Sequence, residues 1–320
     1  MDLDRLAHTL RQSLGIVHKQ DIQTIAKFLA TENAASDVLL GDDCAAIPDG
    51  DGYLLLAAEG MMPDFVATDP WFAGWSAVMV NVSDIYAMGG RPIAVVDTLW
   101  SQDATISQPL LAGMSAAARA YQVPIVGGHT NARSSYNALS VSILGRAEKL
   151  ISSFTAQPGD RLVMAIDLRG QMHPKYPFWN AATTTEPNRL RGDLELLPKL
   201  AENGLCTAGK DISMGGIIGT TLMLLETSNS GAVLDLDAIP RPPEIPFDRW
   251  LVSFPSYGFL LSVHPDRVST VEQLFRARQI TCTDIGEVTD NSQLIIKDRQ
   301  ASTMFWDFDR EHLTGFGTTT

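Results

Sequence analysis

The segment that most limits what this chain can become runs from Trp71 to Met88. Trp75, Val78, Met79, Val82 and Ile85 recur there at helical spacing. One carboxylate, Asp84, falls inside this otherwise apolar pattern. In such company it needs a partner or an exposed position, because burying an unpaired charge is costly. Gly89-Gly90 stops the helix, and Arg91-Pro92 leads into the apolar run Ile93 to Leu99, which reads as a strand.

Elsewhere helical and strand patterns mix. Leu3, Leu6, Leu10 and Leu14 are spaced for a helix, as are Ile22, Ile25, Phe28 and Leu29. Further helices are expected at Ser107 to Tyr121, Arg189 to Asn203, Thr220 to Glu226 and Pro265 to Arg278. Strands are expected at Tyr53 to Ala58, Ala138 to Leu144, Leu162 to Ile166, Leu205 to Ala208, Val233 to Leu236, Phe259 to Val263 and Leu294 to Lys297. Val123 to Val126 reads as a strand broken by Gly127-Gly128, and Gly315 to Thr320 as a frayed end. Regular βαβ alternation is missing, which favours α+β over a doubly wound sheet. The chain has 320 residues, enough for two domains. Pro158-Gly159 within Ser152 to Asp160 suggests a boundary, giving domains 1–155 and 156–320.

Lys and Arg total 24 against 37 Asp and Glu, a formal charge of −13. That field disfavours nucleic acid and anionic membrane as partners. A nucleotide is an anion too, so a site for one among these carboxylates needs cations. Cys44, Cys206 and Cys282 are too few and too far apart for a disulfide framework or a zinc knuckle, which fits a reducing cytoplasm. The start, Met1-Asp2-Leu3-Asp4-Arg5, lacks the features of a signal peptide. No uncharged apolar run reaches about 18 residues, so no membrane span is expected.

Four short segments of the first half carry chemistry. Gly41-Asp42-Asp43-Cys44 sets two adjacent carboxylates in a turn. Glu59 ends a strand before Gly60. Asn81-Val82-Ser83-Asp84 lies on the apolar helix, and Gly127-Gly128-His129-Thr130 follows a strand. Carboxylates from separate elements can hold Mg²⁺ against phosphate oxygens, and paired glycines let backbone N–H groups approach phosphate. Each segment has a plainer reading: a structural turn, a surface glutamate, ordinary helix polar positions, a hydrogen-bonded structural histidine. No Walker A pattern or dinucleotide fingerprint is present.

In order, these segments resemble the superfamily of aminoimidazole ribonucleotide synthetase, selenophosphate synthetase, thiamine-monophosphate kinase and the hydrogenase maturation dehydratase. Gly41 to Ala46 is similar to its Gly-Asp-Asp-Ala-Ala segment. Asn81 to Pro92 is similar to its Asn-Asp-Leu-Ala-Ala-Met-Gly-Ala-Arg-Pro helix end. Gly127-Gly128-His129-Thr130 stands where many members have Gly-Gly-Asp-Thr. Pro158-Gly159-Asp160 resembles the Pro-Gly-Asp that opens the second domain, and Asp211 to Ile217 its later glycine turn.

The resemblance implies a two-domain α+β protein of AIR synthetase-like fold. The N-terminal sheets of two chains would pair into a barrel across a homodimer, and the C-terminal domain would close a substrate cleft. ATP and Mg²⁺ are the implied cofactors. Carried over by position, Asp42, Asp43, Glu59 and Asp84 would be metal ligands, with Glu59 standing where relatives have Asp. Asp42, Asp43, Asn81, Gly127, Gly128 and Thr130 would contact the nucleotide. Asp84, Asp211 and His129 would be catalytic, His129 replacing the family's acid as in selenophosphate synthetases. Asp211 has a structural alternative as a helix cap. Met214 stands where the kinase pattern has an acid.

The loop Gln171 to Asn180 could read the substrate through His173 and Lys175, beside Tyr176, Phe178 and Trp179. An aromatic loop packed on the domain surface is its alternative. The expected activity is Mg-ATP-dependent phosphorylation of a small polar metabolite, or its activation at a carbonyl or amide oxygen. The rivals are a simple small-molecule kinase and a nucleotide-binding regulator without turnover.

Overall fold

The computed structural model describes residues 2–32 and 38–317. In chain order the elements are α1 (Leu3–Arg11), α2 (Leu14–Gln20), α3 (Ile22–Glu32), β1 (Ala45–Asp49), β2 (Gly52–Gly60), α4 (Pro63–Thr68), α5 (Pro70–Ala87), β3 (Arg91–Trp100), α6 (Ala104–Tyr121), β4 (Ile125–Asn131), β5 (Ala138–Ala147), β6 (Arg161–Ile166), β7 (Gln171–Met172) and β8 (Phe178–Asn180). They continue with α7 (Pro187–Leu194), α8 (Leu196–Glu202), β9 (Ala208–Asp211), α9 (Gly216–Thr227), β10 (Gly231–Asp235), α10 (Phe247–Leu251), β11 (Phe254–Pro255), β12 (Gly258–Val263), α11 (Val268–Arg276), β13 (Thr281–Thr289), β14 (Gln293–Lys297) and β15 (Ser302–Asp307). The fold is α+β in two units. One holds residues 43–149 and 182–199, the other 1–42, 150–181 and 200–320.

The first of these units is a sheet in the order β1-β2-β5-β3-β4, antiparallel except for the parallel pair β3 and β4, which α6 connects. Helix α5 forms where the periodicity places it. Asp69 caps it, its carboxylate accepting the Phe72 amide at 3.2 Å, and Pro70 starts it with a preset φ. It ends at Ala87, and Gly89, at φ 74°, turns the chain into β3. Every residue from Phe72 to Ala87 is buried. Gly74 and Gly113 make this possible, since a side chain at either would collide with the Leu110 or Trp71 carbonyl of the facing helix. The backbones of α5 and α6 therefore touch directly.

The other unit is built on a sheet ordered β15-β14-β10-β13-β6-β12-β9, with a small sheet β11-β8-β7 beside it. Its core joins Leu3, Leu6 and Ile16 of the N-terminal helices to Leu162, Ile217 and Trp306. The first 42 residues thus group with the second half of the chain. Three local expectations change. Gly127-Gly128 does not break a strand: β4 runs through it to Asn131, because β3 supplies a parallel ladder, Asp97 opposite Gly128 and Thr98 opposite His129. The strand expected at Leu205 to Ala208 lies further on: β9 runs Ala208–Asp211, with Gly209, Lys210 and Asp211 buried and paired with Leu261, Leu260 and Phe259. Residues 315–317 are not frayed, since the Gly315 amide donates to Glu226 at 3.2 Å. Thr318 to Thr320 lie outside the described residues.

Candidate functional site

In the unit of residues 43–149 and 182–199, α5 carries the central groups. Asn81 is fully buried, and its amide donates to the Ala77 carbonyl at 2.8 Å, one turn back. Its Oδ1 accepts no hydrogen bond from any described residue. A bare buried carbonyl oxygen costs about 1–3 kcal/mol unless something fills it. Asp84 is also buried and lies one turn further along the same helix face. The helix thus presents two oxygen-bearing groups in a row that is otherwise apolar.

Glu59 is exposed near the end of β2. The register sets it opposite Val141 of β5, and sets Asp97 of β3 opposite Val141 from the other side. Directly paired residues share a face, so Glu59 and Asp97 flank the buried Val141. Burial raises the Asp97 carboxyl above its ordinary range, against a smaller lowering by its own backbone amide. Asp97 was missed in the sequence, although a signal exists: it alternates with Val95 and Leu99, both buried, so it occupies an inward position on its strand.

Beside it, at the sheet edge, run Gly127, Gly128, His129 and Thr130, all exposed. A side chain on Gly128 would collide with the carbonyl and carboxylate of Asp97. Glycine here admits the close approach of the two strands, and among the described residues no strand pairs with the outer edge of β4. Asp43 is half-buried in the turn before β1, next to the buried Cys44.

The other unit holds Asp42, Asp211, His173 and Lys175. One oxygen of Asp42 accepts the Ser152 hydroxyl at 2.7 Å and the Ser153 amide at 3.0 Å. The other lies 3.5 Å from Lys210 Nζ. Asp211 is buried at the end of β9, and the Thr220 hydroxyl donates to its carbonyl at 3.2 Å. It does not cap α9, whose N-cap is Gly215 at φ 90° without a side-chain bond. His173 Nδ1 accepts the amides of Lys175 at 3.2 Å and Tyr176 at 3.1 Å, which fixes the turn. Lys175 Nζ sits 5.1 Å above the Tyr176 ring, and Trp179 packs edge-on against Trp250 at 5.4 Å.

Asp42 and Asp211 therefore share one unit, and Asp43, Glu59, Asn81, Asp84, His129 and Thr130 share the other. Among the described residues no three His, Cys, Asp or Glu groups converge to hold an ion by themselves. Mg²⁺ does not require that, since it takes one or two carboxylates and completes its shell with phosphate oxygens and water. The unpartnered Asn81 oxygen and the nearby Asp84 fit that hard-oxygen chemistry. Among the described residues no helix is long and apolar enough to cross a membrane.

Two α+β units in this order, with a carboxylate on a buried helix and a glycine-rich edge strand, define an AIR synthase-like fold. The chain belongs to the AIR synthase-related family: the AIR synthase related protein N-terminal domain matches residues 41–147 and the C-terminal domain residues 157–299. An uncharacterized protein of Synechocystis sp. is 56% identical over 311 residues, covering 96% of each chain. The thiamine-monophosphate kinase of Pyrococcus horikoshii is 26% identical over 296 residues, covering 86% of this chain and 91% of its own. The structure of T. maritima PurL complexed with ATP superposes with a TM-score of 0.73 at 19% identity, over 93% of this chain and 53% of that one. The chain thus spans about half the length of that PurL.

Proposed function

We propose that this protein binds ATP with Mg²⁺ and transfers the terminal phosphoryl group to a small polar metabolite. The observation that carries this is the pair on α5: Asn81 with an unsatisfied buried oxygen, and Asp84 one turn away. An apolar helix retains such groups at a cost, and a hard cation would offset it. The ATP in the T. maritima PurL complex and the kinase name of the Pyrococcus relative point the same way.

Asp43, Glu59 and Asp84 are the proposed carboxylates toward the metal, and Asn81 presents its oxygen beside them. Held by these residues, Mg²⁺ would supply positive charge against the phosphates. The run Gly127, Gly128 and Thr130 on the edge strand offers the backbone N–H groups of alternate residues to phosphate. His129 and Asp211 are the proposed groups that hold or move a proton on the acceptor, and His173 and Lys175 the groups that meet it. A carbonyl or amide oxygen is the acceptor in this reading, with a small-molecule alcohol or phosphate as the rival.

The test is binding followed by turnover. With a non-hydrolysable ATP analogue and Mg²⁺ at about a hundredfold above Kd, the protein should gain roughly 2.7 kcal/mol in thermal unfolding. A panel of small metabolites should then include one that stimulates ADP release. No stabilisation by nucleotide with any divalent ion ends the reading, while stabilisation without hydrolysis leaves a nucleotide-binding regulator.

A homodimer is the proposed assembly. On the sheet face away from α5, Ile47, Leu56, Val96 and Leu144 share one side by register and are 37–48% exposed. Contiguous exposed apolar residues on a sheet mark a protein interface. The double variant Leu56→Arg/Val96→Arg should run as a monomer in light scattering where the parent runs as a dimer. A parent that is itself monomeric at micromolar concentration contradicts the proposal.

A further inference from the structure

Lys210 is a residue that the reading above does not use. Lysine is almost never fully buried unless paired. Here the side chains of Lys210 and Asp42 are only 3% and 4% exposed, with Nζ 3.5 Å from Oδ1. Asp42 Oδ2 is engaged by the Ser152 hydroxyl and the Ser153 amide. Both carboxylate oxygens are therefore met by donors of the same unit.

We infer that Lys210 is the resident cation of Asp42, a positioning residue that takes this carboxylate out of the divalent-metal set. The inference rests on the proposed Mg-ATP reading for its meaning, because it states which of two adjacent aspartates serves the ion. A divalent ion on Asp42 would have to displace hydrogen-bond donors from an occupied carboxylate. It would also bring two cations together in a site shielded from water. The ammonium instead ties the Gly41-Asp42 turn to β9, and the carboxylate ties the same turn to residues 152–153. Asp43, on the other side of the same peptide bond, stays among the proposed metal carboxylates.

Two measurements test this, neither of which reads turnover. In EDTA, Asp42→Asn, Lys210→Met and the double variant form a thermal-unfolding cycle. Each single change should lower Tm, and the double should lower it by clearly less than the sum of the two. Additive losses overturn the inference. In the presence of the ATP analogue AMPPCP, Mn²⁺ counted by electron paramagnetic resonance should be as numerous on Asp42→Asn as on the parent, whereas Asp84→Asn should lose one. Loss of a Mn²⁺ from Asp42→Asn also overturns it.

Should Asp42→Asn fail to fold, Lys210→Met decides. Freed of its ammonium, Asp42 should let Mn²⁺ raise the Tm of that variant more than that of the parent, and an equal rise overturns the inference. A parent that binds no Mn²⁺ with nucleotide defeats the Mg-ATP reading instead, and the EDTA cycle alone then settles the role of Lys210.

Discussion

Asp84→Asn should abolish phosphoryl transfer, by roughly a hundredfold or more, while leaving the fold intact. The substitution keeps volume and shape on a buried face of α5. It removes the negative charge that the proposed reaction needs against a cation. Because the change is nearly isosteric, the metal-free variant should melt within a few degrees of the parent. Nucleotide-dependent stabilisation should shrink in parallel with turnover. Rates of ADP release and thermal melts with and without Mg²⁺ make the comparison. Full activity in this variant would remove Asp84 from the metal and with it the centre of the functional reading.

Glu226→Ala should be the most damaging single change to stability, costing about 3–5 kcal/mol. Glu226 is buried near the end of α9. One of its oxygens accepts the amides of Leu313 at 2.7 Å and Gly315 at 3.2 Å, and the other accepts the Thr314 amide at 2.8 Å and hydroxyl at 2.6 Å. Truncation leaves these donors without an acceptor and opens a void beside the buried Leu313. The consequence reaches the Asp42 turn. Gly41, at φ 110°, packs so closely under the Phe316 ring that a side chain there would overlap it. Once residues 313–315 lose their anchor, Phe316 should leave Gly41 and the tail should become open to proteolysis. Urea unfolding gives the magnitude and limited trypsin digestion the local effect. A loss below about 1 kcal/mol would mean that the tail is held by other contacts.

The helix that carries the candidate site is legible in the sequence. The α5 pattern, its stop at Gly89-Gly90 and the placement of Asp84 among apolar residues are local properties, written in the 3.6-residue period and in end signals within a few residues. The division between Asp42 and Asp43 was not legible. As neighbours in one turn they look equivalent, and the contacts of Asp42 with Lys210, Ser152 and Ser153 come from distant parts of the chain. The strand around Lys210 is shifted from its expected place at Leu205 to Ala208, because Gly209-Lys210-Asp211 has little strand propensity alone. Pairing with β12 makes it a strand.

Local sequence therefore determined the buried helix, the strands of strong alternation, the glycine turns and the order of segments that marks the family. Tertiary structure alone decided that Gly127-Gly128 continues a strand, that Asp97 faces inward across Val141 from Glu59, that the C-terminal segment is pinned by Glu226, and that Asp42 meets a lysine. The physical reason is the same in each case. Helix periodicity and turn chemistry act over a few neighbouring residues, whereas a sheet ladder or a buried ion pair depends on a partner far along the chain, whose arrival no local pattern encodes.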